Sequence, residues 1–134
     1  MCLASCGSSG STQEFGADFA EQADAACQRV DAGALGTLTQ GSHLAASLRE
    51  GQRRGDGLAS ELARLDAPRE HRPDRAAYVV IVSRLAALSG EAADAVAGGD
   101  QARLGEIEAT QGPLVRRARE LARRMGLRSC TPSA

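Results

Sequence analysis

Four stretches of this chain place apolar residues three and four apart, and glycine or proline closes each stretch. That period belongs to helices with one buried face, and it constrains the fold more than any other feature. Phe15, Phe19, Ala23, Ala26, Cys27 and Val30 share one face of a first helix. This helix follows a capping box at Ser11-Thr12-Gln13-Glu14 and should end near Gly33–Gly36. Leu44, Leu48, Leu58, Leu62 and Leu65 mark a second helix over 42–65. Its Gly51, Gly55 and Gly57 either weaken it or let a neighbour approach closely. A loop carrying Pro68 and Pro73 leads to a third helix over 74–97, with Tyr78, Val79, Ile81, Val82, Leu85, Leu88 and Val96. The run Val79-Val80-Ile81-Val82 has strand character alone, but its Ala- and Leu-rich flanks and the lack of a partner strand favour helix. Gly98-Gly99-Asp100 then reads as a turn whose Asp caps a fourth helix. Leu104, Ile107, Leu114, Leu121 and Met125 carry that helix to Gly126, and Gly112-Pro113 should kink or interrupt it.

Four such helices with short loops predict an all-α fold, an antiparallel up-down four-helix bundle with a flexible N-terminal tether. The bundle domain is assigned to 17–134 and the leading segment to 1–16. In this topology the start of helix one and the end of helix four share one end of the bundle. Cys130 meets Cys27 only if the tail after Gly126 folds back along helix one.

The leading segment carries Leu3-Ala4-Ser5-Cys6 followed by Gly7-Ser8-Ser9-Gly10-Ser11-Thr12. An aliphatic residue, two small residues and a cysteine form a lipobox, the point where bacterial signal peptides are cut and the new N-terminal Cys takes lipid. The Gly/Ser run behind it has the composition of a tether. The charged start and the apolar run of about 7–15 residues that precede such a site are then expected upstream of Met1.

Composition narrows the function classes. The formal net charge of −1 gives no bulk attraction to nucleic acid or membrane. Phe15, Phe19 and Tyr78 are the only aromatic residues, too few for the stacking platforms of nucleic-acid binders. No apolar run reaches the roughly 18 residues a spanning helix needs. Of the four cysteines, Cys2 and Cys6 belong to the leading segment, and Cys27 and Cys130 to the domain. In an exported protein the domain pair reads as a disulfide; in a cytosolic one, as two reduced, buried thiols. His43 and His71 sit in no cluster, and no Glu-x-x-His or Cys-x-x-Cys-His occurs, so neither metal nor other cofactor is expected. Nucleophile-elbow, phosphate-loop and dinucleotide motifs are absent as well. Glu106 and Glu108 stand two apart, on different sides of a helix, a poor arrangement for paired carboxylate chemistry.

The remaining charge feature is Arg116, Arg117, Arg119, Arg123, Arg124 and Arg128, opposed by Glu120 alone. These arginines suit the negative end of helix four, and an adjacent helix one offers Glu14, Asp18, Glu21, Asp24 and Asp31 as partners. A second reading has Arg116, Arg117, Arg123 and Arg124 contact an anionic surface beside the tether.

The chain resembles the small helical lipoproteins of high-GC Gram-positive bacteria. The resemblance rests on Leu3-Ala4-Ser5-Cys6, the Ser/Gly tether, Ala-Asp-Ala-Ala-Cys at 23–27, Gly-Gly-Asp at 98–100 and Gly-Leu-Arg-Ser-Cys at 126–130. It implies diacylglycerol on Cys6 and a Cys27–Cys130 bond, and it carries no biochemical activity with it. The expectation is therefore a non-enzymatic interaction or envelope-associated module, lipid-anchored at the extracytoplasmic face of the cell membrane, with an unknown protein or envelope partner and no nucleic acid. The alternatives are a secreted form, a bundle that binds a small apolar ligand, and a cytoplasmic helical adaptor with reduced thiols.

Overall fold

Alanine and arginine are the two commonest residues of this chain, and both are strong helix formers, so local propensity and apolar period agree. The computed structural model describes residues 12–34 and 43–131. It is all-helical, with α1 over Thr12–Ala34, α2 over Leu44–Arg64, α3 over Arg72–Gly98 and α4 over Gln101–Arg124. A single 3-10 turn, Arg69–His71, precedes α3, and no strand occurs among the described residues. The lipobox and the Ser11 cap lie outside those residues. α1 begins at Thr12, ahead of the expected domain boundary at residue 17, so the helix takes in the end of the segment assigned to the tether.

Contacts between α2 and α3 run in opposite sequence directions. Arg49 pairs with Asp94, Gly51 faces Ser89, Gly55 faces Ala86, and Arg75 donates to the Leu65 carbonyl. The α3–α4 contacts do the same, from Glu91–Arg103 to Asp74–Arg124. One buried cluster joins Phe19, Ala23 and Cys27 of α1 to Leu62 of α2, Tyr78 and Ile81 of α3, and Ala118, Leu121 and Ala122 of α4. A second holds Leu88, Ala92 and Ile107. The largest fully buried side chains are Phe19, Leu62, Leu88 and Leu121. The core is thin because alanine is its commonest residue. Val79–Val82 is helical, with Ile81 and Val82 buried and Val80 left 68% exposed, as a helical period requires. Leu44, assigned to the buried stripe of α2, is instead 47% exposed, since it opens the helix before packing against α3 begins.

Two glycines close helices in the left-handed region. After α3, Gly99 has φ 65°, its N–H reaches the Val96 carbonyl, and the Asp100 N–H reaches Ala95. Asp100 then caps α4, accepting from the Arg103 N–H at 2.9 Å, as its position implied. After α4, Gly126 (φ 73°) donates to Arg123 and Leu127 to Ala122. Of the kink or interruption expected at Gly112-Pro113, the interruption does not occur, and α4 runs unbroken through Pro113. Proline removes one backbone donor there, and the glycine before it has no Cβ to crowd the ring.

Candidate functional site

The left-handed turn at Gly126 reverses the chain and buries Leu127 against the bundle. From there the tail lies along α1, as the cysteine positions demanded. Asp24, Cys27 and Gln28 stand at i, i+3 and i+4 on α1 and so share one face. The Asp24 carboxylate accepts the Arg128 N–H at 2.9 Å and the Ser129 N–H at 2.7 Å. Gln28 donates to the Ser129 hydroxyl at 2.9 Å. The Cys27 and Cys130 sulfurs are 2.05 Å apart, a disulfide that joins residues 103 apart in sequence. Both half-cystines are buried, and the Tyr78 hydroxyl donates to the Cys130 carbonyl at 2.6 Å. The tail is thus fixed by one covalent bond and by partners on α1 and α3.

A cleft of about 200 Å³ opens beside the disulfide, with Val30, Leu58, Val82 and Leu85 on its walls and Ser89 and Thr131 at its polar edge. It touches Gly51 and Gly55, so α2 contributes backbone to its floor. Gly55 earns its place differently from the other two glycines of α2: a Cβ there would stand 2.7 Å from the Ala86 Cβ. At Gly57 the corresponding space is open.

The arginines of α4 are placed otherwise than expected. Arg124 pairs with Asp74 of α3 at 2.8 Å, and Arg117 pairs with Glu120 on its own helix at 2.8 Å. Asp24 of α1 is occupied by backbone N–H groups of the tail. Among the described residues, no ion pair is seen between α1 carboxylates and α4 guanidiniums; the side chains of Glu14 and Asp31 lie outside them. The reason is geometric, because the returning tail occupies the Asp24 face of α1. Arg116, Arg117, Arg123, Arg124 and Arg128 are exposed. The hydrogen bond from Arg117, then the nearby charges of Arg117, Arg124 and Arg123, hold the Glu120 carboxyl below the usual carboxylate range.

The two histidines lie apart. His43 precedes α2 and is exposed, and His71 precedes α3. Among the described residues no group of three His, Cys, Asp or Glu converges as a metal site would require. Glu106 pairs with Arg103 at 2.8 Å, and Glu108 is exposed on the same helix. No described helix is long and apolar enough to cross a membrane. Asp24, named from the sequence as a partner for the arginines, instead holds the tail backbone, a role that sequence reasoning missed. Its signal was available, since it lies one turn before Cys27 on the same face. No known family model, curated protein or solved structure matches this chain.

Proposed function

We propose that this chain is a non-enzymatic helical module of the cell envelope, anchored at the extracytoplasmic face of a bacterial membrane by lipid on Cys6. The observation that carries this reading is the buried Cys27–Cys130 pair, which ties the tail to α1 across nearly the whole domain. Disulfides of this structural kind persist in oxidising compartments and are rare where thiols are kept reduced. The lipobox at Leu3-Ala4-Ser5-Cys6 and the likeness to small lipoproteins of high-GC Gram-positive bacteria point the same way. The cleft beside the bond, at about 200 Å³, lies below the 300–1,000 Å³ of small-molecule pockets and so does not itself argue for a ligand carrier.

The test is fractionation of cells that express the chain from its own locus. The wild-type protein should sediment with membranes and be released by detergent but not by salt. The Cys6→Ser variant should lose this association, while Cys2→Ser should keep it. A Cys6→Ser protein that remains with the membrane, or a wild-type protein found in the cytosol, would overturn the proposal.

A further inference from the structure

Residues 114–131 hold six arginines against one glutamate, a local excess of five positive charges in a chain whose formal net charge is −1. Among the described residues this excess is offset only in part: Arg117 pairs with Glu120 and Arg124 with Asp74, while Arg116 and Arg123 make no ion pair there. The returning tail occupies Asp24, so that carboxylate does not meet the α4 guanidiniums. Glu120 sits among Arg117, Arg123 and Arg124, of which Arg124 also meets Asp74. Arg116 and Arg123 lie seven residues apart on one exposed ridge of α4 and make no ion pair among the described residues. The helix dipole accounts for Arg123 and Arg124 in the last turn but not for Arg116 and Arg117, because its influence fades beyond that turn.

The position of this ridge indicates what it meets. Asp24 binds the chain directly after α4, and Phe19 shares a buried cluster with Leu121, Ala122 and Met125. The middle of α1 therefore lies beside the chain that leaves α4. Five residues, Gly7–Ser11, separate Cys6 from Thr12, the first residue of α1. Even fully extended, the six residue steps from Cys6 to Thr12 span no more than about 22 Å. We propose that Arg116, Arg117, Arg123 and Arg124 form a docking face for anionic phospholipid, which orients the module against the bilayer that holds its anchor. The choice of bilayer rests on the Cys6 anchor; the cationic face itself does not.

The experiment uses the full chain carrying Cys6→Ser, which takes no lipid, and vesicles of phosphatidylcholine with or without about 30% phosphatidylglycerol. Binding to the anionic vesicles is expected at about 20 mM salt, with strong loss near 150 mM and none on neutral vesicles. Each arginine near such a surface strengthens partitioning roughly fivefold, so R116Q/R117Q/R123Q/R124Q should weaken it by at least a hundredfold. R49Q/R53Q/R84Q, which removes three arginines elsewhere on the bundle, should bind as the parent does. Circular dichroism of both variants reports that the fold is kept. Anionic vesicle binding that survives the α4 substitutions overturns the proposal. So does equal or tighter binding to a DNA duplex, which would assign the face to nucleic acid. If cells show lipid on Cys6 but the vesicles show no binding, the docking face fails and the anchor stands. If the vesicles bind but Cys6 carries no lipid, the anchor fails and the cationic face stands.

Discussion

Removing the Cys27–Cys130 bond should cost this domain a large share of its stability. The bond joins residues 103 apart, and closing a loop of that length lowers the entropy of the unfolded chain by about 4.7 kcal/mol at 25 °C in the loop-closure account. Domains of this size hold only about 5–15 kcal/mol in total. The contacts that retain the tail without the bond act in the folded state of both forms: Asp24 with the Arg128 and Ser129 N–H groups, and Tyr78 with the Cys130 carbonyl. They neither add to the difference nor offset it. The C27A/C130A variant also loses two buried sulfurs, which adds about 1 kcal/mol, so the reduced wild-type chain is the cleaner comparison. Urea unfolding followed by far-ultraviolet circular dichroism reads the change. With a slope of about 1.5 kcal/mol/M, the midpoint should fall by roughly 3 M on reduction. A fall under about 0.7 M, equivalent to 1 kcal/mol, would refute the reasoning, because the tail would then be held in the unfolded ensemble by something other than the bond.

Three further outcomes follow from the packing and the charges. Gly57→Ala should stabilise by about 0.5–1 kcal/mol, because the added methyl meets open space in a helix, whereas Gly55→Val should destabilise by about 1–3 kcal/mol, because its Cβ collides with Ala86; thermal unfolding of the two variants checks the opposite signs. Asp24→Ala should lower stability by about 1–2 kcal/mol by leaving two tail N–H groups without their acceptor, and hydrogen exchange at Arg128 and Ser129 should rise with it. Glu50, bonded to Arg54 and Arg53, and Glu120, bonded to Arg117, both titrate below the ordinary value of 4.5. Their contribution is present above that pH and is lost as the pH falls through the lowered values, so a midpoint measured against pH should be flat above about 5 and decline below 4.5.

The helices were legible in the chain because propensity, apolar period and terminal glycines agreed. Gly99, Gly126 and the Asp100 cap fall where their residue types imply. The pairing of Cys27 with Cys130, expected on condition of export, is present as a disulfide. Of the kink or interruption expected at Pro113, the interruption does not occur, because the loss of one backbone donor is offset by packing of α4 against α3. The role of Gly55 was open to either reading, since only the position of Ala86 across the interface separates close approach from simple weakness. The arginine partners were least legible. Charge counting matched α4 to α1, but the tail intervenes at Asp24, and Arg124 turns to Asp74 on α3. Which carboxylate a guanidinium finds depends on tertiary placement that local pattern does not encode.

The central claim joins a lipid on Cys6 to a bonded Cys27–Cys130 pair in one extracytoplasmic molecule. Intact-mass analysis of the protein taken from cells expressing it at its own locus, alkylated without reductant, reads both together. The account predicts a chain that begins at Cys6, carries the mass of a diacylglyceryl group, and has neither Cys27 nor Cys130 alkylated. A chain with an unmodified N-terminal region and two alkylated domain cysteines would contradict it.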